Sequence, residues 1–311
     1  MEIITIDSNK PQPCVAAIGF FDGVHNGHKY LIEQVKKKAK ESGMKSALIT
    51  FAVHPRKIFK PNEPMPMLNT RAERLNLLDK QGVDYCFLLN FDMELARKTA
   101  REFMENVLFA QFNVRALVIG YDHRFGHNRN EGFEDYVEYG KQIGIEVIKS
   151  EEFRLSNGEV MDEQVSSSKA REYITEGDVE AVHNLLGYRY RLSGVVVDGH
   201  KIGRQIGFPT ANIKPDCTDK IIPKDGIYAV WVYLRGKRLR GMLSIGVRPT
   251  LNNGSNKSIE VYILDFDEQI YGEHIEVEFV KRTRDEEKYD NLDMLVEQLK
   301  RDVEEGRRIL V

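Results

Sequence analysis

Two histidines, His25 and His28, stand in a glycine-rich string, GFFDGVHNGHKYLI (19–32), that directly follows an apolar run. Glycines at 19, 23 and 27 let the backbone turn and approach a ligand closely. The three-residue spacing of the histidines puts both rings on one face at the mouth of a helix. A helix N-terminus offers free N–H groups and the positive end of its dipole. Two imidazoles added there can donate to phosphate oxygens, so the string reads as a nucleoside triphosphate site for nucleotidyl transfer. It is neither a GxGxxG loop nor a Walker loop with its GK[ST]. A second string, GVVVDGHKIGRQIGFPTANI (194–213), also has the composition of a phosphate site. Gly199, Gly203 and Gly207 make a loop able to bend around phosphates, and Arg204 can face one. Pro209 stiffens the backbone before Thr210 and Asn212, which as alternate residues share one face of an extended segment. Their hydroxyl and amide oxygens are hard ligands suited to Mg²⁺, with ATP oxygens completing the shell. A third string, VSSSKAREY (165–173), opens a helix with serines and sets Arg171 three residues past Ser168. An arginine there can neutralise a leaving pyrophosphate.

Two kinds of element must hold these groups. Through residue 187, short apolar runs alternate with amphipathic segments. The runs are CVAAIGF (14–20), SALITF (46–51), DYCFLLN (84–90), RALVIG (115–120) and IEVIKS (145–150). In the first helical segment Leu31, Val35 and Ala39 recur every four residues, with lysines opposite. Continuous apolar strands separated by helices predict a parallel sheet covered on both faces, a Rossmann-like α/β domain over 1–187. From 188 to 311 strand-like runs follow one another without helices between them, and Gly, Pro and Asn cluster at the joins. That pattern predicts an antiparallel barrel or sandwich. One helix closes the chain, with a stripe of Leu292, Leu295, Leu299 and Val303 and with Asp290 as its expected N-cap.

Composition narrows the function classes. A chain of 311 residues suits two domains. With Lys+Arg 45 against Asp+Glu 48 the net charge is −3, far from the basic balance of a nucleic-acid-coating protein, so no nucleic-acid partner is expected. Cys14, Cys86 and Cys217 are odd in number and far apart, which argues against a disulfide framework or a zinc site and for a reduced compartment. The N-terminal residues do not read as a signal peptide, and no apolar run approaches the roughly 20 residues that span a bilayer. The expected setting is cytoplasmic, with no membrane partner.

The HxGH string resembles the adenylyl- and cytidylyltransferase superfamily. The longer GxFDGVHxGH narrows the resemblance to the bacterial bifunctional riboflavin kinase/FAD synthetase family. TFAVHPRKIF (50–59), VIGYDHRFG (118–126), VSSSKAREYITEGDVEAVHNLLG (165–187) and GRQIGFPTAN (203–212) agree in order, so the resemblance covers nearly the whole chain. It implies an FMN adenylyltransferase domain at 1–187, a riboflavin kinase domain at 188–311, and Mg²⁺ with ATP as co-substrate. Riboflavin, FMN and FAD would be its substrates and products. It implies that His25 and His28 hold ATP phosphates together with Gly19, Phe20, Asp22 and Gly27. It implies that Asp122, Arg124 and Phe125 line the nucleotide and flavin site, and that Ser167, Ser168 and Arg171 close over the triphosphate. In the second domain it puts Gly203 and Arg204 on ATP, Thr210 and Asn212 on the metal, and the base that takes the ribityl proton at Glu260 in SIEVYILDF (258–266). Arg248 in SIGVRPTLNN and Arg284 in KRTRDEEKYD become flavin contacts. The chain departs from the family at His123, commonly phenylalanine, and at Ser168 and Ala170 in SSSKAR, commonly SSTxIR. Three other readings remain: a riboflavin kinase with a weakened N-terminal domain, a flavin-responsive regulator binding RNA or protein, and a nucleotidyltransferase for another phosphate acceptor.

Overall fold

A computed structural model describes the chain apart from residues 7–8, 122, 128–129, 156–162, 200–201 and 248–256; for 154–155, 163, 202, 204 and 247 it describes the backbone alone. Contacts divide the chain into two compact units, Met1–Ser167 and Ser168–Val311.

The first unit is a parallel sheet of β1 (Glu2–Ile4), β2 (Cys14–Ile18), β3 (Lys45–Phe51), β4 (Tyr85–Leu89), β5 (Val114–Ile119) and β6 (Glu146–Lys149), in the order β1-β4-β3-β2-β5-β6. Its inner strands β2, β3 and β5 are largely apolar because both faces are covered, whereas the edge strands β1 and β6 are mostly exposed or half-buried. On one face α1 (Asn26–Glu41) buries Leu31, Ile32, Val35 and Ala39 against Val15, Ala17, Leu48 and Val118. The other face packs Ile18, Ile49, Phe87 and Leu117 against Phe103, Val107 and Tyr136. These come from a π-helical segment, Phe103–Gln111, and from α6 (Phe133–Ile143). Short helices α2 (Pro55–Phe59) and α4 (Met93–Arg97) follow the ends of β3 and β4, α3 (Arg71–Asp79) lies between α2 and β4, and α5 (Ala100–Glu102) leads into the π-helical segment. A small hairpin of β7 (Arg154–Leu155) and β8 (Glu163–Gln164) precedes α7 (Ser167–Glu176). The chain runs from β2 to β3 to β4 on one side of β2, then crosses to β5 and β6 on the other. The order reverses between β2 and β5, which is where open α/β sheets bind ligands beyond their strand ends.

The second unit holds α7 from Ser168 onward, α8 (Val179–Leu186) and a closed six-stranded barrel. Its strands are β9 (Arg191–Val197), β10 (Ala211–Pro215), β11 (Gly226–Leu234), β12 (Lys237–Val247), β13 (Lys257–Ile263) and β14 (His274–Arg284), with the single turn α9 (Ile202–Gln205) after β9. The spatial order β10-β13-β12-β11-β14-β9 closes through β9, and every pairing is antiparallel. Of the two predicted architectures the chain adopts the barrel. Ile259, Val261 and Ile263 point inward, and Ser258, Glu260 and Tyr262 outward. The closing helix α10 (Leu292–Ile309) lays Val303, Ile309 and the following Leu310 over Ile227, Ala229 and Met242 on the barrel's outer surface. Its N-cap is Asn291, whose side chain accepts from Met294 N at 2.9 Å, one residue after the expected Asp290. Leu292 and Met294 in its first turn stay exposed, so the buried part of the stripe begins further along.

Candidate active sites

In the first unit, the loops after β2 and β5 meet the switch point. β2 stops at Ile18, and Gly19 N donates to Ile49 O of β3 at 3.0 Å. The chain then enters an unusual turn: Phe21, Gly23 and Val24 have φ of 59°, 79° and 38°. Non-glycine residues in that region cost about 1–3 kcal/mol each and persist only where packing over-determines them. Phe21 and Val24 are both buried in the core beneath α1. Phe21 also explains Gly19, since a Cβ there would sit 3.1 Å from the Phe21 ring. Asp22 is buried, and its carboxylate accepts from Leu68 N and Asn69 N at 3.1 and 3.3 Å. Ser167 Oγ donates to the Asp22 carbonyl at 2.8 Å.

The turn delivers His25 as the N-cap of α1, with His25 Nδ1 accepting from His28 N at 3.2 Å. The two imidazoles stack, centroids 3.6 Å apart and planes 14° from parallel, and His28 meets the Phe21 ring edge-on. A Cβ at Gly27 would lie 3.2 Å from His25 Nδ1, so the glycine between the histidines makes room for the capping ring. Burial lowers His25 to about 4, with Lys29 adding to the shift. Burial, His25 and His123 hold His28 well below the usual histidine range. Both rings are therefore neutral near pH 7. With Nδ1 of His25 accepting, its proton is assigned to Nε2, which is left to donate to a ligand. Among the described residues His28 Nδ1 is buried with no hydrogen-bond partner.

Phe20, the other aromatic of the turn, carries a network that the sequence reading missed. Its carbonyl accepts from Arg74 Nη1 at 2.6 Å and Thr50 Oγ1 at 3.1 Å, and the Arg74 guanidinium lies 3.7 Å from the Phe20 ring centroid. Arg74 Nη2 also donates to Phe51 O at 2.6 Å. Arg74 is 1% exposed, and burial brings its guanidinium down to about 10, so it remains a cation. The signal was present: Arg74 and Leu78 share the buried face of α3, opened by the capping box of Thr70 and Glu73. A charge on an apolar stripe points to a buried partner. His54 caps α2 through Arg56 N and meets Phe20 edge-on at 4.5 Å.

In the loop after β5, Phe125 is 8% exposed and stacks on Tyr136 at 4.3 Å, its backbone exchanging hydrogen bonds with the Tyr136 hydroxyl. Arg124 is exposed. Asp122 lies outside the described residues. Ser168 is exposed and Arg171 half-buried in the first turns of α7, both in the second unit.

The kinase-like site centres on one strand pair. β10 runs beside β13 with Asn212 opposite Glu260, and Thr210 Oγ1 donates to Glu260 Oε2 at 3.2 Å. Asn212 is 7% exposed, and its amide sits on Gly199, where any Cβ would collide with it. Gly203 packs equally tightly against the Phe208 carbonyl, which explains two glycines of the motif by contact. Arg204 is described by its backbone alone, in α9. A cavity of about 130 Å³ opens beside Gly203, Thr210 and Asn212 and is walled opposite by Phe266, Glu268 and Tyr271. That wall, the loop after β13, was not among the expected site residues. Its only sequence signal was its place directly after the strand bearing Glu260. The threonine hydroxyl, amide and carboxylate form a hard-oxygen donor set of the kind Mg²⁺ takes. Arg248 lies outside the described residues. Arg284, expected on the flavin, forms a bidentate pair with buried Asp302 of α10 at 2.9 and 2.6 Å, and Nη1 donates to Asp285 O.

Comparison with known proteins agrees with this division of motifs. The family model for FAD synthetase matches residues 7–169, and that for riboflavin kinase matches residues 186–310. A bifunctional riboflavin kinase/FMN adenylyltransferase of Listeria monocytogenes is 35% identical, over 94% of this chain and 91% of its own. One from Haemophilus influenzae is 36% identical, over 95% and 94%. A solved Streptococcus pneumoniae chain titled a macrolide-efflux protein superposes with a TM-score of 0.88 at 33% identity, covering 98% of both chains. Among the described residues of the present chain no helix is long and apolar enough to cross a membrane. Matched by both family models in order and by relatives along nearly its full length, the chain belongs to the bifunctional riboflavin kinase/FMN adenylyltransferase family.

Proposed function

We infer that this chain phosphorylates riboflavin with ATP to FMN in its C-terminal domain and adenylylates FMN with a second ATP to FAD and pyrophosphate in its N-terminal domain. Residues 1–187 are assigned to adenylyl transfer and 188–311 to the kinase. The observation that carries the reading is the hydrogen bond from Thr210 to Glu260 with Asn212 across the ladder. It gathers a base and two metal-binding oxygens beside a cavity.

In the kinase step Glu260 accepts the proton of the ribityl 5′-hydroxyl as that oxygen attacks the γ-phosphorus of ATP. Thr210 donates its hydroxyl hydrogen to Glu260, which leaves its lone pairs free for a cation. Asn212 supplies a second oxygen, and Gly203 and Arg204 bring backbone and charge to the phosphates. Mg²⁺, when bound there, supplies charge neutralisation at those phosphates. ATP enters on the side of the 130 Å³ cavity.

In the adenylyl step the FMN phosphate is already an anion and needs no base. It attacks the α-phosphorus of ATP, and pyrophosphate leaves. The work is positioning and charge stabilisation. The stacked His25 and His28 donate ring N–H groups beside the open N–H groups of α1. Arg171 and the serines of α7 close over the departing pyrophosphate. Arg74, Thr50 and Ser167 hold the carbonyls of the turn, so the histidines are fixed before substrate arrives.

The test is a time course of protein with riboflavin, ATP and Mg²⁺, with flavins separated by chromatography. FMN appears first and FAD follows. FMN accumulating without FAD, even from reduced flavin, would overturn the adenylyl half and leave a kinase.

A further inference from the structure

The outer face of the barrel carries a second carboxylate beside the base. Gly246 stands two residues along β12 from Ser244, the residue directly opposite Glu260, and itself pairs with Ser258. Ser244, Gly246, Ser258 and Glu260 therefore share one face. A Cβ at 246 would collide with both carboxylate oxygens of Glu286, so that carboxylate lies directly on the Gly246 backbone. Glu286 reaches this seat from the segment between β14 and α10. A diagonal step between neighbouring strands is about 7 Å, so two acidic groups stand roughly that far apart over one strip of sheet.

The described surroundings do not satisfy Glu286. Among the described residues no hydrogen bond or ion pair holds its carboxylate. Asp225, the third acidic group here, has a partner in Lys257 at 3.0 Å. Arg284, the nearest cation electrostatically, spends its fork on Asp302. Partial desolvation, Asp225 and Glu260 together raise the Glu286 carboxyl above its ordinary value. Among the described residues this carboxylate, held against its own kind on a side-chain-free seat, has no hydrogen-bond donor, and the substrate is rich in donors. The ribityl chain of riboflavin carries inner hydroxyls on the carbons next to the one that reacts, and such a short polyol can bridge a diagonal of this length.

We propose that Glu286 is a substrate-positioning residue of the kinase, accepting hydrogen bonds from the inner ribityl hydroxyls while Glu260 takes the 5′-hydroxyl. Glycine at 246 is what lets it stand there. The proposal rests on the assignment of Glu260 as base.

The experiment compares wild type, Glu286→Ala and Glu286→Gln with two substrates. These are riboflavin and its 5-hydroxypentyl analogue, which keeps the reacting hydroxyl and lacks the inner three. A hydrogen bond to a charged acceptor predicts that KM for riboflavin rises roughly 10- to 100-fold in Glu286→Ala. The expected result keeps kcat within about threefold and leaves KM for ATP unchanged. It also gives nearly equal KM values for the analogue in wild type and variant, the signature of a coupled pair. Glu286→Gln retains an acceptor and falls between. An unchanged KM for riboflavin overturns the proposal, and so does an equal loss on both substrates or an effect on kcat alone. Adenylyl transfer from supplied FMN in the same preparations checks that the variants are folded. Glu260→Gln in the same assay separates the two ideas: if its kcat survives, the base assignment fails whatever Glu286 does.

Discussion

The His25 ring caps α1 and is the phosphate donor in the proposed reaction, and its burial sets the pH range over which it can be either. Its folded value of about 4 lies below the ordinary 6.5, so the unfolded chain binds the extra proton first. The stability that His25 contributes is complete above about pH 6.5 and is lost as pH falls toward 4. The shift corresponds to something on the order of 3 kcal/mol, with His28 acting in the same direction. Thermal melting followed by circular dichroism should show the melting temperature of the first unit falling through that window. His25→Asn keeps a good cap without a titrating ring and should flatten part of the fall. Its adenylyl transfer should still drop about 100-fold for the lost donor. His28→Ala should lower FAD formation by a similar factor and leave FMN formation from riboflavin intact, as read by chromatography.

At the scale of elements, a buried arginine and a half-buried one fasten parts that the sequence shows only separately. Arg74 joins α3 to the ends of β2 and β3 through the Phe20 and Phe51 carbonyls. Arg74→Met would take the guanidinium from both, leaving Phe20 O to Thr50 Oγ1 alone, costing about 3 kcal/mol in urea unfolding and lowering adenylyl transfer by loosening the turn. Arg284 joins β14 to α10 through Asp302. Asp302→Ala leaves the half-buried guanidinium without its partner and should cost about 1–3 kcal/mol by the same measurement. What the sequence showed and hid follows from range. Strands buried on both faces, the helical stripe of α1 and the inward set Ile259, Val261 and Ile263 were legible because their periods are local. β1 and β10 were not. Glu2–Ile4 becomes a strand only by pairing with Tyr85–Phe87, and Ala211–Pro215 only by lying between β9 and β13. The histidine pair was legible by motif. The Arg74 network, the Phe266–Tyr271 wall and the seat of Glu286 on Gly246 were not, since each brings together residues from different elements.

For the whole molecule, the assignment is a division of labour that single substitutions should separate. Glu260→Gln removes the proposed general base and should cut FMN formation by about 10²–10⁴ while FAD formation from supplied FMN continues. His28→Ala does the reverse. Equal damage to both activities by either variant would defeat the two-site reading. The barrel's closure also bears on how the chain is made. Its first strand, β9, pairs with its last, β14, from Arg191↔Glu278 to Val195↔His274. The parallel sheet is complete once β6 has been synthesised, at Lys149, whereas the barrel has no seam until β14 exists. During synthesis, at about 5–20 residues per second, β9 and β11 have bare edges until their common partner emerges, and such edges invite pairing with other chains. A message truncated ahead of residue 274 would thus yield a finished first domain attached to an aggregation-prone open sheet, and quality control would meet this protein at its C-terminal end.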